Sequence, residues 1–309
     1  MPGGLHINPA LRDILPIRIK DALKILQSCT LCPRNCRVDR LGGEQGFCRT
    51  GRLARIASFG PHFGEEAPLV GRQGSGTIFF SSCNLLCSFC QNYDISHRNE
   101  GRDASPESLA SIMIDLQERG CSNINFVTPT HVTAQIIEAL AIAVERGLRI
   151  PLVYNCGGYE SPATLRLLDG IVDIYLPDFK FWDNRFADRY LKVPDYRQRA
   201  TEALKEMHRQ VGDLSIDDNG IAIRGLLVRH LVMPEGIAGT AALMKFLARE
   251  ISPATYVNIM DQYRPCGGAW EDATIGRSIT VAEFEEALDA AFDAGIERID
   301  GRRSRLKGL

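Results

Sequence analysis

The sequence predicts an α/β protein built on a partial, open parallel (β/α)6 barrel, preceded by a small cysteine-rich amino-terminal segment. Three observations carry this expectation. From residue 76 onward, six short apolar runs rich in β-branched residues alternate with longer segments of helical period. The runs are continuously apolar, as strands covered on both faces should be, and do not alternate cleanly with polar residues. Finally, 309 residues, 45% of them hydrophobic, suffice to bury one large core.

Residues 1–75 are expected to hold a helix from about Pro16 to Leu26, then a glycine-rich stretch bearing cysteines; residues 76–309 form the barrel. The expected strands are Gly76–Ser82, Asn123–Thr128, Pro151–Asn155, Ile171–Leu176, Leu226–Val232 and Thr255–Met260. Ser105-Pro106-Glu107 and Ser161-Pro162 each put an N-cap before a first-turn proline. Thr280 with Glu283 makes a capping box, and Gly120, Gly147 and Gly295 stand where helices should stop. Repeated strand–helix units imply parallel strands joined by right-handed crossovers, and six units in place of eight leave the barrel open. The stretch Leu214 to Ile223 breaks this rhythm. It reads as a hairpin whose Asn219-Gly220 suits a type I′ turn, with too few oxygen ligands for a calcium loop.

A formal net charge of −2 gives no general attraction to nucleic acid or to an anionic membrane. Basic residues gather only in Gly301-Arg302-Arg303-Ser304-Arg305-Leu306-Lys307, expected to be a solvated tail. No apolar run of membrane-spanning length and no export signal is read, so a soluble cytoplasmic protein is expected. In that setting the ten cysteines, seven of them in two clusters, fit reduced metal-bound thiols better than disulfides.

The first cluster is Cys83-Asn-Leu-Leu-Cys87-Ser-Phe89-Cys90. Three thiolates so spaced can ligate three irons of a cubane [4Fe–4S] cluster and leave the fourth iron open to substrate or cofactor. A structural zinc site is the alternative; it wants four ligands, and only His97 stands near enough in sequence to complete the set. The second cluster, Cys29, Cys32, Cys36 and Cys48, supplies four thiols with glycines between them. Four thiolates close a site completely, and both zinc and a fully ligated [4Fe–4S] cluster accept them, the Cys-x-x-Cys knuckle of Cys29 and Cys32 leaning toward zinc. Buried thiols without metal are the plainer reading.

Ligands in open α/β sheets bind outside the carboxyl ends of the strands. That rule singles out Thr128-Pro129-Thr130-His131, Asn155-Cys156-Gly157-Gly158-Tyr159, Pro177-Asp178-Phe179-Lys180, Arg229-His230 and Asn258 through Cys266. Singly, each has an ordinary explanation: Asp178 can cap a helix, and His131 or His230 can be a satisfied core histidine. Glu65, Glu66, His62 and the Tyr263 to Cys266 segment are expected at the entrance, and Cys156, Tyr263 and Cys266 are candidates for giving a hydrogen atom to a product radical.

The Cys83 loop, with Phe89 just before its third cysteine, resembles the signature of the radical S-adenosylmethionine (SAM) enzymes. The resemblance implies a (β/α)6 core over residues 76–309, a cluster whose open iron is chelated by SAM, and reductive cleavage to a 5′-deoxyadenosyl radical. It also implies an electron donor of flavodoxin or ferredoxin type. Phe89 would pack beside the adenine, Asp178 and Lys180 would meet the charged methionyl end, and Thr128, Asn155 and Arg229 would complete the cofactor site.

With Asp178-Phe179-Lys180, Gly74-Ser-Gly-Thr-Ile-Phe-Phe and the length of the chain, the likeness sharpens to the pyruvate formate-lyase activating enzymes and their relatives. Here Gln91 stands where activases have a histidine, Thr128-Pro129-Thr130-His131 replaces a Gly-Gly-Glu turn, and the extra cysteines precede the barrel. SAM cleavage is therefore expected, with the substrate open between a glycine on a partner protein, a peptide and a small molecule. Methyl or methylthio transfer lacks its usual additional domain. A non-catalytic iron–sulfur electron carrier is the alternative of another class, but it needs no polar pocket at the strand ends.

Overall fold

The computed structural model describes residues 11–301, so Arg302 to Lys307 of the basic stretch lie outside the described residues. Helix α1 (Leu11–Leu26) begins before the expected Pro16 and carries that proline in its interior. Leu11, Leu15, Ala22 and Leu26 share one buried face. The cysteine-bearing stretch follows without regular secondary structure, and then comes β1 (Ala54–His62), a strand not anticipated from the sequence. Its Gly60 and Pro61 are strand breakers, and its outer half is largely exposed, so it lacks the continuous apolar run of the other strands.

After the one-turn α2 (Ala67–Val70), the chain runs through β2 (Ser75–Phe80), α3 (Tyr93–His97), β3 (Arg102–Ala104), α4 (Pro106–Glu118), β4 (Ile124–Val127) and α5 (Thr133–Glu145). It continues with β5 (Leu152–Cys156), α6 (Pro162–Leu167), β6 (Ile174–Pro177), α7 (Asn184–Leu191), α8 (Tyr196–Val211) and β7 (Ser215–Ile216). The last elements are β8 (Ala222–Leu231), α9 (Thr240–Phe246), β9 (Tyr256–Met260), α10 (Val281–Ala294) and β10 (Arg298–Ile299).

The sheet order is β10-β9-β8-β6-β5-β4-β2-β1-β3, with β7 paired to β8. Its central strands β9, β8, β6, β5, β4 and β2 are the six expected ones, and all pair in parallel. Beyond β2 the sheet continues antiparallel through β1 and β3, so the barrel stays unclosed. Helix α1 packs on α5, laying the amino-terminal region against the barrel's outer layer.

Ser105 caps α4 through Ser108 N, and Thr280 with Glu283 forms the expected capping box of α10. Ser161 makes no side-chain cap, although Pro162 does open α6. In the β7–β8 hairpin only Gly220 has positive φ, at 80°. A type I′ turn needs two such residues, so the expected turn type is corrected. The Asp217 carboxylate closes the loop instead, accepting from Asn219 N and Ile221 N.

Inside the barrel, Val153, Ile174, Leu176 and Leu227 pack around Leu69 of α2. Leu69 O accepts from Asn123 Nδ2 and Val70 O from Ser122 Oγ, both just ahead of β4. The short α2 therefore plugs the amino-terminal end of the parallel strands. The carboxyl end is left for a site.

Candidate functional site

The loop from Ser81 to Asn92 leaves the carboxyl end of β2 and leads into α3. Its backbone is held in an uncommon shape, with Ser82 at φ 70° and Leu86 at φ 111°. Surrounding structure fixes it from both sides: Ser88 N donates to Tyr190 O at 2.9 Å, and Ser88 O accepts from Gly268 N at 2.8 Å. Leu85 N donates to Cys83 Sγ at 3.3 Å and Ser96 Oγ to Cys90 Sγ at 3.2 Å. Burial pushes the Cys83 thiol up to about 12. Burial also raises Cys87, with Cys90 and Cys83 adding to it and the Lys180 cation opposing. Thiols kept neutral by burial become thiolates when metal supplies the missing positive charge. Among the described residues, no group of three or more Cys, His, Asp or Glu side chains is close enough to share a single ion.

Around this loop the strand ends gather part of the expected set. Lys180 Nζ donates to Asp178 Oδ2 at 2.7 Å, and although burial opposes its charge, Asp178 and Cys87 raise its proton affinity. Tyr196 OH accepts from Lys180 N and donates to the carbonyl oxygens of Gly157 or Asp178, tying the ends of β5 and β6 together. Gly158, at φ 77°, passes so near that a Cβ there would stand 2.4 Å from Asp178 O. Thr128, at φ 61°, donates its N–H to Asn155 O at 2.8 Å. Phe89 is buried, with its ring edge-on to Phe181 and Tyr263 at 5.8 and 6.1 Å.

Arg229 also stands at these strand ends, bridged to Asp178 through the backbone, with its carbonyl oxygen accepting from Phe179 N at 2.8 Å. Arg229 turns its guanidinium to Glu66 and Glu65, and Asn258 Nδ2 also donates to Glu66. That guanidinium and Asn258 hold the Glu66 carboxyl below its usual value against the effect of burial. Of the three residues expected at the entrance, His62 stands at the opposite end, while the carboxylates of Glu65 and Glu66 reach the Arg229 guanidinium. Because β1 runs antiparallel to β2, its last residue His62 sits across from Ser75, where β2 begins. Cys156 lies on the face of β5 that carries Tyr154, bonded to the Glu160 carboxyl. Tyr263 OH donates to Ile275 O at 2.6 Å, and Cys266 is partly exposed beside the Cys83 loop, just before Gly267 and Gly268.

The four amino-terminal cysteines line one cavity, to which Asn84 of the Cys83 loop also contributes. Phe47 N donates to Cys36 Sγ at 3.5 Å, and a Cβ on Gly46 would strike that sulfur at 2.8 Å. Burial raises Cys32 strongly, with Cys48, Glu160 and Cys29 adding to it. Arg34 joins the two cysteine regions. Its Nε donates to Asn84 O at 2.9 Å and its guanidinium covers the Phe47 ring at 3.7 Å.

Sequence reasoning missed Asn84, Glu160, Tyr196, Arg34 and Arg40. Asn84 and Arg34 carried a local signal, next to Cys83 and between Cys32 and Cys36. Glu160 is fully buried among Thr130, Tyr154 and Cys156, and burial lifts its carboxyl to about 7.

A family model described as the radical SAM superfamily matches residues 77–233, a span holding the Cys83 loop and the strand ends around it. The chain belongs to the radical SAM superfamily. Radical SAM proteins are enzymes that use a [4Fe–4S] cluster and SAM and draw electrons from a reductant. This radical SAM chain is 34% identical over 289 residues to an uncharacterized protein of Methanocaldococcus jannaschii, covering 90% of this chain and 78% of the relative. Among solved structures it is similar to methylornithine synthase, with 14% identity and TM-score 0.48 over 95% of this chain and 75% of that one. A maturase of the [FeFe]-hydrogenase gives 13% identity and TM-score 0.48 over 95% and 67%. No helix among the described residues is long and apolar enough to cross a membrane.

Proposed function

We propose that Cys83, Cys87 and Cys90 hold the [4Fe–4S] cluster of a radical SAM enzyme, and that SAM lies across the strand ends beside it. The carrying observation is three thiols, Cys87 buried and Cys83 and Cys90 partly buried, on one clamped loop at the open, carboxyl end of six parallel strands, with the Lys180 cation acting on Cys87. When bound, and given an electron from a ferredoxin- or flavodoxin-type donor, cluster and SAM supply a 5′-deoxyadenosyl radical that takes a hydrogen atom from substrate.

The chain's own residues do the rest. Lys180 keeps a positive charge beside the cysteine loop, and Asp178 balances it while offering an oxygen to the charged end of SAM. Tyr196 fixes the backbone that carries both. Phe89 supports the adenine side from within the core, and Thr128 and Asn155 line the approach. Of the three candidates for returning a hydrogen atom, Cys156 and Tyr263 are buried with polar partners, so Cys266 is retained.

For the substrate, the barrel interior favours a small hydrogen-bonding molecule over a glycine on a partner protein. Asn125 is fully buried, and neither atom of its amide has a partner. The activating-enzyme reading is the alternative. Anaerobically reconstituted protein, reduced in the presence of SAM, should form 5′-deoxyadenosine. The Cys83→Ala/Cys87→Ala/Cys90→Ala protein should not, and a parental yield from it would refute the assignment. Deuterium carried from a labelled metabolite or peptide into 5′-deoxyadenosine then separates the two substrate classes.

A further inference from the structure

We infer that Cys29, Cys32, Cys36 and Cys48 bind a second, fully thiolate-ligated [4Fe–4S] cluster, with the buried cation of Arg40 as its charge partner. All four cysteines line one cavity, and the thiols of Cys48 and Cys29 are near enough to act on that of Cys32. Two independent observations point to a ligand there. Arg40 is 1% exposed, yet its guanidinium meets only Gly51 O, His131 O and, at 3.8 Å, Cys29 Sγ. A buried guanidinium without a carboxylate is costly unless an anion sits beside it. Thiolates carrying a cluster of net negative charge supply that anion.

The second observation is His131, which also lines the cavity and is 1% exposed. Its Nε2 faces Ser81 O at 2.8 Å, and a carbonyl can only accept, so the proton is on Nε2. Nδ1 is then a bare lone pair, buried and without a partner. His131 thus brings a buried polar atom without a partner to the residues that line the thiol cavity.

Spacing selects the ligand. Zinc would draw all four sulfurs onto one ion, each at about 2.3 Å. Among the described residues no three such side chains share a single-ion position, here or on the Cys83 loop. Phe47 N and Arg40 both donate toward the cysteine sulfurs, as hydrogen bonds to cluster thiolates do. With four protein ligands such a cluster has no open position, and its chemistry is confined to exchanging single electrons.

The test uses the full chain with the Cys83 loop disabled, so that it stands apart from the proposed SAM chemistry. After anaerobic reconstitution, the Cys83→Ala/Cys87→Ala/Cys90→Ala protein should retain about four irons per chain and the parent about eight. Its visible absorbance should bleach on reduction, with a spectrum that SAM leaves unchanged. Conversely, Cys32→Ser/Cys36→Ser should retain about four irons, with a reduced spectrum that SAM does alter. Zinc in place of iron in a folded triple variant, or a parent with only about four irons, would overturn the inference.

Discussion

Lys180 Nζ donates to Asp178 Oδ2 at 2.7 Å while its charge acts on the thiol of Cys87. One cation is thus shared between a carboxylate at the end of β6 and the cysteine loop at the end of β2. The pair is only partly exposed, with side chains 17% and 26% accessible. Their electrostatics therefore bear on anything bound across the strand ends more than a surface ion pair would.

Asp178→Asn keeps the size of the side chain and removes its charge. SAM affinity is expected to fall tenfold or more, equivalent to about 1.5–3 kcal/mol for a charge-assisted contact. Iron content should stay parental, because the thiols are untouched. Equilibrium binding of SAM to the oxidised, clustered protein measures it; parental affinity with a parental yield of 5′-deoxyadenosine removes Asp178 from the site.

Gly158 holds the ends of β5 and β6 together by close approach. At φ 77°, with the position of a Cβ 2.4 Å from Asp178 O, alanine meets both backbone strain and a clash. Gly158→Ala should destabilise the protein by about 1–3 kcal/mol in denaturant unfolding. It should also weaken SAM binding, since the displaced carbonyl belongs to Asp178. An unchanged midpoint would show that the approach is not this tight.

The six parallel strands were legible because each is covered on both faces and so stays apolar along its length. Strand β1 was not, since Gly60 and Pro61 obscure it and its outer half is largely exposed. The same principle divides the site. The cysteines announce themselves by spacing along the chain, as do Asp178 and Lys180. Tyr196 and Glu160 gain their meaning only from residues brought close by folding: Tyr196 OH reaches Gly157 O across 39 positions, and Thr130 reaches Glu160 across 30. The placing of His62 failed for a related reason. Nothing in the residues themselves says that β1 runs against its neighbour.

Glu160 makes stability depend on pH. Burial raises its carboxyl from 4.5 to about 7, so the folded protein holds this proton more tightly than the unfolded chain. Stability contributed by the neutral group is full below 4.5 and lost as pH rises to about 7. At about 1.4 kcal/mol for each tenfold change in proton affinity, the loss is about 3 kcal/mol. Glu160→Gln keeps a polar side chain without the ionisation and should flatten this part of the profile. Urea unfolding of both proteins from pH 4.5 to 8 checks it, and parallel profiles would show that the carboxyl is not held neutral.

Arg40 allows the proposed amino-terminal cluster to be tested through its potential. A cation beside a cluster stabilises the reduced, more negative state, and a hydrogen bond to a ligating sulfur acts in the same direction. Arg40 supplies both, with its guanidinium fully buried and NH1 turned to Cys29 Sγ. Arg40→Met should therefore lower the midpoint potential of the centre left in the Cys83→Ala/Cys87→Ala/Cys90→Ala background by about 59 mV or more, a tenfold change for a one-electron couple. Arg40→Lys separates charge from packing: it keeps the cation but loses the forked contacts to Gly51 O. If the potential follows charge, the lysine protein should lie near the parent and the methionine protein well below it. Equal potentials in the three proteins, at equal iron content, would mean that Arg40 serves only to hold Gly51 and His131 in place.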